Sequence, residues 1–92
     1  MKILASEAVQ RWLIALPPET KKRVRAALLK LQNGRGDIKA LHGELEGFCR
    51  LRIGGLRIVY SQLRGQIIRL EYADSRDVVY ETFLRVLQER KS

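Results

Sequence analysis

The sequence holds one cysteine, one histidine, two prolines and no long apolar run. A lone thiol cannot close an internal disulfide, which suits a reducing, cytoplasmic compartment and leaves the fold to its core. One Cys and one His make no zinc constellation, and no motif suggests a bound cofactor. No stretch approaches the roughly 20 apolar residues that span a bilayer. Met1-Lys2-Ile3-Leu4-Ala5 leads straight into a polar, helix-like segment and not into a signal peptide, so no membrane partner is expected. Acid is scarce too: 10 Asp and Glu stand against 18 Lys and Arg, for a net charge of +8 and a pI near 10.3. Such a balance points to a polyanionic partner. Paired carboxylates at an acid–base spacing, a nucleophile beside a base, and a phosphate-binding glycine motif are all missing.

What is present is a globular composition. With 92 residues, 46% apolar and 30% charged, the chain reads as a single domain over 1–92 with one modest core. Its organising stretch is Phe48–Tyr60, in which two alternating runs flank Gly54-Gly55, a strong hairpin signal. A two-residue turn there sets Ile53 against Leu56, Arg52 against Arg57, Leu51 against Ile58 and Cys49 against Tyr60. Alternation puts Cys49, Leu51, Ile53, Leu56, Ile58 and Tyr60 on one face and Arg50, Arg52 and Arg57 on the other. Like charges directly opposite destabilise a sheet, so the pairing of Arg52 with Arg57 suggests an anionic ligand. Between Gly47 and Leu70 the chain carries Arg50, Arg52, Arg57, Arg64 and Arg69 and no acid.

Upstream, residues 2–5 suit a short edge strand. Ser6 caps a helix whose stripe is Val9, Trp12, Leu13 and Leu16. Pro17-Pro18 ends it and starts a second helix over about 19–33, striped by Val24, Ala27, Leu28 and Leu31 and stopped at Asn33-Gly34. Lys21, Lys22, Arg23, Arg25 and Lys30 fall on its polar side, a solvated face or a nucleic-acid contact. Residues 35–47 read as a loop tethered by Ile38, Leu41 and Leu45.

Downstream, face matching favours a three-residue loop, Leu63-Arg64-Gly65. This pairs Tyr60 with Ile68, Ile58 with Leu70, Val59 with Arg69 and Arg57 with Glu71. Ile68, Leu70 and Tyr72 then share the core face, and Arg69 and Glu71 join the arginines. Residues 73–76 leave the strand, and Asp74 or Ser75 caps a last helix striped by Val79, Phe83, Val86 and Leu87. The expected fold is α+β: a short N-terminal strand, an antiparallel helical hairpin, a three-stranded antiparallel meander and a C-terminal helix. All helices are expected on one sheet face, leaving the other basic and open.

Arginines support phosphodiester chemistry in one respect and not another. They grip phosphate oxygens in pairs and answer developing charge. With a pKa of about 12.5 or higher, they do not move protons. In RNA the substrate's own 2′-hydroxyl serves as nucleophile, so positioning, charge and proton management are all that the protein must add.

The stretch Leu41-His-Gly-Glu-Leu-Glu-Gly-Phe-Cys-Arg-Leu-Arg-Ile-Gly-Gly-Leu-Arg-Ile-Val-Tyr60 resembles the core signature of the RelE/ParE toxins of type II toxin–antitoxin systems. The proline-turned helical hairpin and the Arg76–Tyr80 element extend the resemblance over most of the chain. It implies a RelE-like fold and, in the RelE branch, a ribosome-dependent endoribonuclease that cuts messenger RNA in the ribosomal A site, with no metal and no small-molecule cofactor. The partners implied are ribosome, messenger RNA and a cognate antitoxin, expected to be acidic from the charge of this chain. The resemblance places the active-site basic pair on Arg50 and Arg52, the phosphate-contacting arginine on Arg57, and the later arginine and tyrosine on Arg76 and Tyr80. Lys21, Lys22, Arg25 and Arg69 are candidates for further RNA contacts. The chain departs from RelE in having arginines where the best-known pair is lysine. Asp74-Ser75-Arg76 replaces the His-Arg-Arg run of many relatives, and Asp74 is a candidate base. The alternatives are a ParE-like toxin acting on DNA gyrase without nuclease activity, and a non-catalytic nucleic-acid-binding module.

Overall fold

The computed structural model describes residues 1–91. Along the chain run β1 (Lys2–Ala5), α1 (Glu7–Ala15), α2 (Pro18–Leu31), β2 (Asp37–Ala40), a 3-10 turn (Gly43–Leu45), β3 (Cys49–Ile53), β4 (Leu56–Leu63), β5 (Ile67–Ser75) and α3 (Val78–Lys91). The five strands form one mixed sheet in the order β1-β5-β4-β3-β2, with β1 parallel to β5 and the other neighbours antiparallel. Among the described residues, no helix is long and apolar enough to cross a membrane.

Local chemistry explains most of the boundaries. The Ser6 hydroxyl caps α1 by accepting from the Val9 amide at 3.2 Å, and donates to the Glu71 carbonyl at 2.8 Å. Pro17 holds the extended cap position of α2 and Pro18 its first turn, where a missing N–H costs nothing. In the β3–β4 hairpin every expected pair is present: Cys49 with Tyr60, Leu51 with Ile58, Arg52 with Arg57 and Ile53 with Leu56. Gly54 carries a φ of +57° and Gly55 is not among the positive-φ residues, the φ pattern of a type II′ turn.

The α+β class is as expected, and four details differ. The segment read as a loop contains β2, which pairs antiparallel with β3 and sets Asp37 against Arg52 and Lys39 against Arg50. The β4–β5 loop is Arg64-Gly65-Gln66, so Tyr60 meets Leu70 and Gln62 meets Ile68. A slip of two residues keeps every side chain on its face, so alternation alone does not choose between the two registers. Next, β5 continues to Ser75 through a bulge opposite Val59/Tyr60, which leaves Glu71 unmatched and reverses the alternation beyond it. Tyr72 therefore turns away from the main core, and Arg57 faces Asp74 instead of Glu71.

The fourth difference is the largest. Adjacent β4 residues Ile58 and Val59 are both fully buried but belong to separate clusters, so both sheet faces are covered. On the inner face Leu51, Ile53, Ile58, Tyr60, Ile68 and Leu70 pack against Val9, Val24 and Leu31 of α1 and α2. On the outer face Val59 packs with Val79 and Phe83 of α3 and with Leu45. Phe83 meets Phe48 edge-on at 5.1 Å and stacks with Tyr72 at 6.2 Å. The expectation that all helices share one face fails because the outer face has its own apolar seat, of Val59, Leu45, Phe48 and the bulge-turned Tyr72, which α3 covers.

Candidate functional site

Across the outer face, strand pairing lines up two rows. One is Asp37, Arg52, Arg57, Asp74, and the next is Lys39, Arg50, Val59, Tyr72. The second row ends in the apolar seat of α3, and the first stays polar. Where the N-terminal turn of α3 meets these rows, Lys39, Leu41, Arg50, Arg52, Arg57, Asp77 and Tyr80 line a cleft of about 440 Å³.

The arginines differ in how they are held. The Arg57 side chain is only 13% exposed, and its Nη1 donates to the Gly54 and Leu56 carbonyls at 2.9 and 3.1 Å. Its Nε lies 3.7 Å from Asp77 Oδ1. Two backbone acceptors on one end nitrogen fix the plane of the guanidinium, so what it offers the cleft is set before any ligand arrives. Arg50 is 12% exposed and donates from Nη1 to Asp37 Oδ1 at 3.3 Å. Arg52 is half-exposed, with its Nε 4.0 Å from Asp37 Oδ2. One carboxylate thus bridges both β3 arginines. Like-charge pressure between Arg52 and Arg57 is answered inside the protein, by Asp37 on one side and Asp77 on the other, so that pairing does not by itself require an anionic ligand.

The structure brings together Arg50, Arg52, Arg57 and Tyr80 and leaves the other expected site residues elsewhere. Arg76 is exposed in the turn before α3, in a left-handed conformation (φ +51°), its amide donating to the Gly55 carbonyl at 2.6 Å. It is not part of the cleft lining. Asp74 accepts from the Ser75 amide at 2.7 Å and does not line the cleft. Arg69 pairs with Glu71 at 3.7 Å, and Glu71 is buried at the bulge, accepting from the Ser61 hydroxyl at 2.6 Å. Lys21 and Arg25 line a separate, mostly apolar groove with Leu13, Ile14, Val24 and Leu28 on the helical hairpin, and Lys22 is exposed on the same helix. α2 covers the inner face, so these three lie across the sheet from the cleft.

Two cleft residues escaped the sequence reading. Lys39 sits in the segment read as a loop, although the alternation of Asp37, Ile38 and Lys39 was a strand signal. Asp77 stands one helical turn before Tyr80, a spacing that puts both on one side of a helix start.

Comparison with known proteins bears on the fold. No family model matches the sequence, and no curated protein matches it either. Solved structures do match. A chain of the RelB–RelE antitoxin–toxin complex from Methanococcus jannaschii aligns with a TM-score of 0.67 at 24% identity, covering 87% of this chain and 98% of that one. A chain of the RelBE2 toxin–antitoxin complex from Mycobacterium tuberculosis gives 0.66 at 24% identity, over 82% and 96%. YafQ from Escherichia coli gives 0.65 at 13% identity, over 84% and 94%. The chain has the fold of RelE-type toxins.

Proposed function

We propose that this protein is the toxin of a type II toxin–antitoxin pair and acts as a metal-independent endoribonuclease on messenger RNA in the ribosome. The observation that carries this reading is the cleft itself. Within a fold shared with RelE-type toxins, it gathers Lys39, Arg50, Arg52 and Arg57 beside the phenol of Tyr80. The arginines hold the scissile phosphate and answer the charge of the transition state, a task suited to pre-fixed guanidinium groups. Tyr80 supplies a proton to the leaving 5′-oxygen. A shallow cleft that positions one phosphate depends on its substrate being oriented beforehand, which is the part assigned to the ribosome.

The partner that restrains such a toxin is a cognate antitoxin. Two of the matching chains, from Methanococcus jannaschii and Mycobacterium tuberculosis, come from toxin–antitoxin complexes, and the +8 charge suits an acidic inhibitor.

Brief expression followed by separate measurement of protein and DNA synthesis, with mapping of message 5′ ends, tests the reading. A translation block with cut messages is expected, and Arg52→Ala or Arg57→Ala abolishes it while leaving the fold intact. Arrested DNA synthesis with intact messages would overturn it in favour of a ParE-like action on gyrase.

A further inference from the structure

We infer that Asp77 is the general base of the cleft, the group that takes the proton from the attacking 2′-hydroxyl; this rests on the ribonuclease reading above. RNA cleavage needs one proton acceptor and one donor. The charged and titratable groups lining the cleft with Asp77 are Lys39 from β2, Arg50 and Arg52 from β3, Arg57 from β4 and Tyr80 from α3. Guanidinium and ammonium groups have no lone pair to offer, and the Tyr80 phenol is already the proton donor. An ionised carboxylate is acceptor-only, and Asp77 is the carboxylate in the lining. The neighbouring acids do not line the cleft: Asp37 bridges Arg50 and Arg52 beside it, and Asp74 accepts from the Ser75 amide.

Geometry favours the same residue. Asp77 Oδ1 lies 3.7 Å from the Arg57 Nε, so base and phosphate-holding group are in contact before substrate arrives. The Asp77 side chain is 83% exposed, which leaves its second oxygen accessible to a nucleotide. Tyr80, in the first turn of α3 that follows Asp77, brings the donor to the same cleft.

In the step this describes, the Asp77 carboxylate removes the 2′-hydroxyl proton and the 2′-oxygen forms a bond to phosphorus. The bond from phosphorus to the 5′-oxygen breaks, and that oxygen leaves with the phenolic proton of Tyr80. The products are a 2′,3′-cyclic phosphate and a 5′-hydroxyl. Asp77 then returns its proton through solvent, and Tyr80 regains one, which restores the starting state.

The test is single-turnover cleavage of message on ribosomes by wild type, Asp77→Asn and Asp77→Glu. Affinity is measured in parallel for a message carrying a 2′-deoxy nucleotide at the cut position. Asp77→Asn is expected to lose about 10²–10⁴-fold in rate with affinity kept, and Asp77→Glu to retain part of the activity. Cleavage by Asp77→Asn at the wild-type rate overturns the assignment, as does a fall in affinity equal to the fall in rate, which would make Asp77 a support for Arg57. If wild type cuts no message on ribosomes, the ribonuclease reading falls and takes the base with it. If wild type cuts and Asp77→Asn cuts equally, only the base falls.

Discussion

Arg52 on β3 and Arg57 on β4 stand directly opposite each other, and each leans on a carboxylate away from its partner. Asp37 sits outside Arg52 on the edge strand, and Asp77 reaches Arg57 from the start of α3. The hairpin therefore presents two cations side by side without relying on a ligand to keep them there.

Removing one of those carboxylates measures how far the sheet depends on it. Asp37→Asn keeps the shape and deletes the charge that touches Arg50 at 3.3 Å and Arg52 at 4.0 Å. Exposed ion pairs are worth about 0.2–1 kcal/mol, so a loss in that range is expected in urea denaturation at low salt. Repeating the titration at about 1 M salt, where the screening length is near 3 Å, should shrink the difference. A loss that ignores salt would mean that Asp37 acts through packing or backbone geometry.

The two glycines of the turn are not equivalent. Gly54 has a φ of +57°, and the space where its Cβ would sit is taken by the Arg23 guanidinium. Gly55 has open space around it. Gly54→Ala should cost about 1–2 kcal/mol from the left-handed backbone alone, before any shift of Arg23. Gly55→Ala should fall within about 0.5 kcal/mol of wild type. Equal effects in thermal melts would contradict the turn geometry.

Phe83 is fully buried between Phe48 and Tyr72 and anchors α3 to the outer face. Phe83→Ala is expected to destabilise the protein by about 3–5 kcal/mol. Hydrogen exchange should rise most along α3. Because Tyr80 enters the cleft from the first turn of α3 and Asp77 from the residue just before it, activity should fall at temperatures where the rest of the sheet is still folded.

Tyr60 lies on the inner face, and burial pushes its phenol up to about 12, with the charge and hydrogen bond of Cys49 across the strand adding to the shift. The group holds its proton more tightly when folded than when unfolded, where a tyrosine titrates near 10. Its contribution to stability is therefore complete below pH 10 and is lost as pH rises through 12. Absorbance titration should show a phenolate transition that appears only near pH 12 in wild type and is missing in Tyr60→Phe. The alkaline loss of stability should be shallower in that variant. A tyrosine that titrates near 10 in its place would show Tyr60 to be solvated.

The β3–β4 hairpin was legible to the residue, because glycine chemistry at the turn and alternation on both sides point to one answer. The Ser6 cap and the Pro17-Pro18 start of α2 were legible for the same reason, since each is a local choice of a few residues. The cleft was half legible. Arg50, Arg52 and Arg57 follow from alternation, and Tyr80 from a resemblance. Lys39 and Asp77 join them only because an edge strand pairs with β3 and α3 folds back over the same face.

Local signals along the chain are enough to place the central hairpin and to tell its apolar side from its cationic one. Those properties come from turn chemistry and a two-residue period, both local. What shares the cationic side depends on packing between distant segments. One unmatched residue at Glu71 reverses the alternation of β5 and turns Tyr72 outward, against Phe83. With Val59, Leu45 and Phe48 it seats α3, whose start brings Asp77 and Tyr80 to the arginines, and those contacts join segments far apart in the chain.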